Sequence, residues 1–417
     1  MTPEIKNRIE QIWLGKVPEG YKATLAGIIP VEWQCDELKH CINICNEKRK
    51  PISKEMRKKM AGPYPYYGPT QAQGYIDTYM SEGPAVLIGE DGDHFLKFRN
   101  KSMTLFVDGE YTVNNHAHII TGTERCATRW FYYTYQHKSL LSAITRQGAG
   151  RYKLTKEALE KLPLQYPGFK EQNQILAIIT PQDKVIELKE KLIAEKQRQK
   201  KYLMQQLFTG KARLPGFTKK WCTIRLKNIA HKEKLKNIGF EYSLVLSNSA
   251  QHGIIPQEEQ FAKEIANTDR IDEYYVVKDG YFVYNPRIST TAPCGPININ
   301  ETGYTGVISP LYTVFSIDCD YIDNSYMKQY FKSTCWFRHM KSVANYGARH
   351  DRMSITDDDF FAMPISVPEL KEQQEISAIF AVVDKEIELL QQSLEQEKQK
   401  KKALMQLLLT GIVRVII

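Results

Sequence analysis

A long segment of this chain occurs twice. Residues 162–213 and 363–414 align without a gap at a constant offset of 201 positions. Pro163, Pro167, Lys170-Glu171-Gln172, Asp183-Lys184, Lys200-Lys201, Leu203-Met204-Gln205, Thr209-Gly210 and Arg213 all recur. Their counterparts begin at Pro364, Pro368 and Lys371-Glu372-Gln373 and end at Thr410-Gly411 and Arg414. A repeat of this length at one fixed spacing marks a duplicated structural element, and it constrains the fold more than anything else in the sequence.

Each copy has the punctuation of one long helix. Pro167 and Pro368 end whatever precedes them, and Glu171 and Glu372 suit the positive end of a helix dipole. Gly210 and Gly411 stand where a helix terminates. About forty residues at ~1.5 Å rise give a rod of ~60 Å. Ile179, Ile186 and Ile193 are spaced by seven, as are Phe380, Ile387 and Leu394, and the ends carry Leu203 and Leu207, Leu404 and Leu408. Seven-residue apolar spacing is a coiled-coil seam, so the two rods are expected to pack on each other. Pro181 interrupts only the first copy and predicts a kink or a restart there. Ala194 to Lys201 is too polar for a sealed core and is expected to face solvent or a partner.

Between the rods lie two segments rich in aromatics, β-branched residues and glycine turns. The expected organisation is a lead-in helix over 1–20, a first head over 21–162, the first rod over 163–213, a second head over 214–362 and the second rod over 363–417. The fold class is α+β, two β-rich heads alternating with two long helices. Pro63 to Gly68 reads as a loop and Ala85 to Gly89 as a strand. Asp108-Gly109 reads as a hairpin turn, followed by a strand from Val113 to Ile120. Tyr274 to Val277, Tyr281 to Tyr284 and Gly306 to Phe315 read as strands in the second head. Both heads open alike, with Trp33 followed by Leu38 and Trp221 by Leu226. They also close alike, with Gly148-Ala149-Gly150-Arg151 and Gly347-Ala348-Arg349.

Charge narrows the partners. The net charge of +9 is modest, but residues 47–59 carry seven Lys or Arg against two Glu, including Lys48 and Arg49. Such runs are commonly solvated faces, and they also suit a polyanion. Other candidate nucleic-acid contacts in the first head are Tyr66, Tyr67, Tyr75, Arg99, Lys101, Arg146, Arg151 and Lys153, with the polar run Asn114-Asn115-His116-Ala117-His118. In the second head they are Tyr284, Asn285, Arg287, Ser309, Tyr312, Arg338, Arg349 and Arg352. Amide and guanidinium groups of this kind pair with base edges, and the cations also neutralise phosphates.

Enzyme chemistry is not legible. There is no phosphate-binding G-x-x-x-x-G-K-[ST] loop, no G-x-G-x-x-G turn, no G-x-S-x-G elbow and no H-E-x-x-H helix. Tyr284-Asn285-Pro286-Arg287 lacks the second proline and the aromatic of the adenine-methyltransferase tetrad. Of the eight cysteines only Cys41 and Cys45 lie close together, beside His40, and no four-ligand metal set can be assembled. No run is long and apolar enough to span a membrane and no export signal opens the chain, which leads us to expect a cytoplasmic protein.

The opening Pro-x-x-x-Pro-x-x-Lys-Glu-Gln, the ending Leu-Met-Gln-x-Leu-x-Thr-Gly-x-x-Arg, the order head–helix–head–helix and the Ile29-Pro30-x-x-Trp33 start together resemble the specificity subunit of type I DNA restriction–modification systems. The resemblance implies that each head is a target-recognition domain reading one half of a split double-stranded DNA sequence. It implies that the helices pair as an antiparallel coiled coil with an internal pseudo-twofold, set the unread gap and dock two methyltransferase subunits. Restriction subunits are then further partners, and S-adenosylmethionine, ATP and Mg²⁺ belong to partners rather than to this chain. The competing readings are a single-chain nuclease or methyltransferase and a two-module binding scaffold that ignores nucleic acid.

Overall fold

The computed structural model describes residues 2–147, 151–257, 268–317, 320–345 and 351–415. Two compact units result, residues 1–189 with 393–417 and residues 190–392. Each holds one head, the start of one long helix and the end of the other.

In the first unit, helix α1 (Pro3–Trp13) begins at a Thr2 cap and is followed by the hairpin β1 (Tyr21–Thr24) and β2 (Gly27–Pro30). Strand β3 (Gln34–Glu37) pairs with β14 (Pro163–Tyr166), which delivers the chain to the first long helix. The head between them has two four-stranded sheets. One runs β4 (Ile42–Ile44), β11 (Ala117–Gly122), β8 (Ala85–Gly89), β9 (Thr104–Val107). The other runs β6 (Ala72–Ile76), β5 (Tyr64–Tyr67), β10 (Glu110–Val113), β7 (Ser81–Glu82). Strand β8 is buried throughout because both its faces are covered. Val86 and Ile88 join the core under helix α3 (Thr128–Tyr135), while Ala85 and Leu87 pack with Val107, Tyr111 and Val113 between the sheets. Short helices α2 (Lys54–Lys59) and α4 (Lys156–Glu160) carry Ser53 and Thr155 caps.

The second unit repeats this plan with different residues. Strand β15 (Cys222–Arg225) pairs with β24 (Pro364–Val367), and a sheet of order β16 (Ala230–Glu233), β23 (Thr313–Ile317), β20 (Phe282–Tyr284), β21 (Ile297–Ile299) corresponds to the first. The hairpin β17 (Leu246–Ser249) and β18 (Gly253–Pro256) and the pair β19 (Tyr275–Val277) with β22 (Gly306–Ile308) cover its far face. Helix α6 (Asn324–Lys332) buries Tyr326, Met327, Tyr330 and Phe331, and α7 (Phe337–Val343) and α8 (Asp357–Phe361) complete the near face.

The long helices are α5 (Phe169–Leu207) and α9 (Leu370–Leu408), each of 39 residues. They pair antiparallel. In the first unit Lys189 bonds Glu397 at 3.4 Å, Asp183 bonds Lys401 at 2.5 Å and Glu171 bonds Arg414 at 2.6 Å, so partner numbers rise as the first numbers fall. In the second, Lys196 meets Glu386 at 2.6 Å, Lys200 meets Asp384, and Arg213 meets Glu372 at 2.7 Å. The repeat thus pairs with itself: Lys200–Asp384 and Lys401–Asp183 are one contact seen twice. Ile179, Ile193, Phe380 and Ile387 are buried and Ile186 and Leu394 half-buried, as the seven-residue spacing predicts. Leu207, Leu404 and Leu408 also pack into the cores. Leu203 is instead exposed and Met204 takes the inward place. Gly210 (φ +67°) and Gly411 (φ +70°) close the helices. Gly411 has a second reason to be glycine, since a Cβ there would lie 2.5 Å from the Pro30 ring.

Several expectations fail for local reasons. Helix α5 runs through Pro181 without restarting. Ala177, whose carbonyl loses its donor to Pro181, lies on an exposed face, while Ile179 is buried on the other side. Tyr64 to Tyr67 is a strand, not a loop. Asp108-Gly109 makes no hairpin, because β9 pairs with β8 and β10 with β5 and β7, so the turn passes between layers. The strands read as 113–120 and 306–315 are each broken by a side-chain-capped turn. Residues 148–150 and 347–350 lie outside the described residues.

The clamp is testable. Glu372 is fully buried and its only cationic partner in the contacts above is Arg213, so Arg213→Ala is expected to lower the urea midpoint of the second unit. Asp384 adds a pH signature. Burial works against its charge, but Lys200 and the Gln329 amide hold its carboxyl below the usual range. That stabilisation is present above the unfolded carboxyl value near 3.8 and is lost as pH falls below it, so Asp384→Asn should flatten the acid limb of stability against pH.

Candidate nucleic-acid interface

The central sheets of the two heads correspond in strand order and pairing register. In the first, Val86, Leu87 and Ile88 face Ile120, Ile119 and His118. In the second, Phe282, Val283 and Tyr284 face Phe315, Val314 and Thr313. The first residue of each triplet packs towards the long helices, and the second packs away from them. Both chains then leave the sheet over the same rim. Leu154 N–H donates to Glu90 O at 2.8 Å and Gly92 N–H to Tyr152 O at 3.0 Å; Met353 N–H donates to Pro286 O and Ile288 N–H to Asp351 O, both at 3.0 Å. Asp91 therefore bridges Lys153 where Arg287 bridges Arg352. The next strand is entered through matching turns as well. Asn114 Oδ1 accepts from His116 N–H at 2.8 Å, and Ser309 Oγ from Leu311 N–H at 3.4 Å.

The side chains on this common rim differ. In the first head they form a closed ionic network. Arg49 donates to Glu90 at 2.6 Å and to Asn115 O at 3.2 Å, Lys153 reaches Glu90 at 3.3 Å, and His116 Nδ1 lies 2.8 Å from Asp91. In the second head Arg287 and Arg352 are bridge partners, and Arg287 lies over a cavity of about 310 Å³. Ser247, Asn248, Gln257, Tyr274, Asn285, Ser309 and Tyr312 line it. Asp351 is 3.8 Å from Arg287. Burial raises the Tyr312 pKa, with Arg287 and Arg352 opposing the shift, so its hydroxyl remains a donor at neutral pH.

The sequence candidates separate accordingly. Arg49, Asn115, His116, Lys153, Arg287, Ser309, Tyr312 and Arg352 meet at the two rims. Asn114 and Asn285 are buried and shape the rim turns. Tyr66 is not a contact: it is buried, and its hydroxyl accepts from Ile52 N–H and donates to Lys50 O. His118 is likewise buried, bonded to Asn46 and to Leu154 O, and Tyr284 stacks on Phe360 inside the core. Each faces a layer that strand periodicity alone does not reveal. Tyr67 is half-buried against Tyr111, while Tyr75, Lys48, Arg99 and Arg146 are exposed. Lys101 lines a separate cavity of about 340 Å³ with Gln71 and His94. Arg338 is exposed on α7. The side chain of Arg151 and all of Arg349 lie outside the described residues. Glu90, Asp91 and Asp351 were missed, since acidic residues are poor guesses for a polyanion; only Asp351 carried a local signal, its place beside Arg352.

A family model described as the type I restriction modification DNA specificity domain matches residues 30–197 and 219–399. The chain belongs to that family. A relative from Haemophilus influenzae, named a type I restriction enzyme specificity subunit, is 35% identical over 149 residues, 36% of either chain. The MjaX specificity subunit of Methanocaldococcus jannaschii is 24% identical over 95% of this chain and 97% of its own. A solved type I S subunit from M. genitalium covers 92% of this chain and 97% of that one, with a TM-score of 0.53 at 13% identity, and so shares the fold. For this specificity-family chain the two matched segments each contain one head and its rim. Among the described residues no helix is long and apolar enough to cross a membrane, and no group of acidic, His and Cys residues could hold a metal.

Two outcomes follow for the buried candidates. Tyr66→Phe should cost roughly 1–2 kcal/mol of first-head stability while leaving nucleic-acid recognition unchanged, read by unfolding and binding on the same sample. Burial lowers the His118 pKa from 6.5, so the folded head favours neutral imidazole. Its contribution is full above that value and is lost as pH falls below it, and His118→Gln should remove this loss between about pH 7 and 5.

Proposed function

We propose that this chain is the non-catalytic specificity subunit of a type I restriction–modification complex, in which each head reads one half of a bipartite double-stranded DNA target. The observation that carries the reading is the contrast between the two units. The same clamps, sheet register and rim hydrogen bonds are built twice, yet the side chains displayed on the rim are of different chemistry. Matched frames with unlike readers suit two unlike half-sites.

In this reading the paired helices set the unread gap and dock two methyltransferase subunits, and restriction subunits join the assembly. The outward faces of α5 and α9 suit docking: Leu188, Leu192, Tyr202, Leu203, Val382 and Leu389 are exposed apolar side chains on otherwise charged helices. S-adenosylmethionine, ATP and Mg²⁺ are then bound by the partners, and the complex works in the cytoplasm. The exposed Lys48, Lys54, Lys58 and Lys59 supply phosphate contacts that give affinity and salt dependence, and the rims supply the sequence.

The test is co-expression with a cognate modification subunit and genome-wide mapping of methylated adenine. A split motif with one fixed gap is expected; a stable complex that leaves no motif rejects the reading. Replacing residues 21–162 by another head should alter one half only. Inserting four residues at equivalent points of both helices lengthens each by ~6 Å, and the gap should widen by roughly two base pairs.

A further inference from the structure

We propose that Arg287 reads a guanine in the half-site of the second head, with Asp351 as a positioning residue; the inference rests on the bipartite DNA-reading function above. The first argument is the energetic oddity of the site. Like charges directly opposite on paired strands destabilise a sheet, and the bridge at this rim sets Arg287 against Arg352. The first head places Asp91 against Lys153 at the same position, an opposite-charge pair. The frame therefore does not require two guanidinium groups here. An electron-rich ligand would compensate them.

The second argument is preorganisation. Arg287 N–H donates to Asn285 Oδ1 at 2.9 Å, and the Asn285 amide donates to Asn248 O at 3.1 Å from a buried position. The backbone that carries Arg287 is thus fixed from below, while its side chain is 68% exposed. The nearest approach of Asp351 is to its Nε, at 3.8 Å, rather than to the terminal nitrogens that form the fork.

The third argument selects a base over a phosphate. Among the described residues lining the cavity beneath it, Arg287 is the one cation; the polar remainder is amide and hydroxyl, including Asn248, Ser309 and Tyr312. A phosphate site would gather cations and backbone N–H groups. Arg352, its bridge partner, is not part of that lining, so it is the Arg287 fork that stands over neutral donors and acceptors, which match a base edge, and guanine alone presents two adjacent acceptors, N7 and O6, to such a fork.

The experiment compares wild type, Arg287→Gln, Arg287→Lys and Asp351→Asn in the methyltransferase complex, by methylated-adenine mapping and by binding to the mapped site at several salt concentrations. In the wild-type motif the half that follows the second head in a head swap should contain a guanine. With Arg287→Gln, and also with Arg287→Lys, which keeps the charge but loses the fork, preference at that one position should fall roughly ten- to hundredfold while the other half and the gap stay fixed. Asp351→Asn should keep the guanine but weaken the preference. An unchanged motif in both Arg287 variants overturns the inference, as does a uniform loss of occupancy with a shallower salt dependence, which marks a phosphate contact. A split wild-type motif lacking that guanine also overturns it and leaves the bipartite reading standing. Absence of any split motif in wild type instead rejects the bipartite reading itself.

Discussion

Two buried carboxylates hold this molecule in register. Glu171 and Glu372 are only 3% and 1% exposed, and each accepts a two-pronged bond from an arginine at the far end of the other repeat, Arg414 at 2.6 and 2.9 Å and Arg213 at 2.7 and 2.7 Å. A charge so deep is tolerated only with a geometrically exact partner, so an antiparallel slip of one residue would strand both members. The adjacent residue completes the lock. Gln172 accepts from Ala127 N–H and donates to Arg125 O and Pro167 O; Gln373 accepts from Asp323 N–H and donates to Tyr321 O and Pro368 O. Glutamate thus fixes the helix pair and glutamine fixes the head to it. The Lys-Glu-Gln triplet shared by both copies of the repeat is a joint.

This joint also explains why the repeat is shared out between units. Gly411 lies against Pro30 and Trp33, as Gly210 lies against Trp221, so the end of the second repeat meets the first head in the way the end of the first repeat meets the second. Arg8 and Tyr21 tie the lead-in segment to Ile412 O and Gly411 O. Each head therefore sits between one helix start and one helix end drawn from different repeats. Deleting either rod would unseat both heads.

Local periodicity made the rods, their ends and their seam readable in advance, because seven-residue spacing and terminal glycines act within a few turns of the chain. Glu171 was legible only as an acid suited to a helix start. Its partner lies 243 residues away, and no local pattern reports such a distance. The heads suffered more. Tyr66 and His118 have the residue types of base readers, but a second layer covers them, and layering is a tertiary fact. Asp108-Gly109 has hairpin chemistry yet joins two sheets, since Val107 and Tyr111 both bury their side chains between those sheets. The clustering of Asp91 with His116 and of Arg287 with Arg352 needed strand register, which turns on long-range pairing.

The rim shows how such a frame can vary in what it displays without disturbing the core beneath it. Its four backbone hydrogen bonds, at 2.8 to 3.0 Å, use only N–H and C=O groups, which every residue but proline offers in full. Pro286 occupies one of these positions and is an acceptor there, so it is tolerated. The burial that stabilises each head lies one layer below, in Val86 and Ile88 or Phe282 and Tyr284. Side chains at 91 and 287 therefore change sign without disturbing the core. Stability resides in the repeated clamp and the sheet beneath, and the rim above is left free to differ.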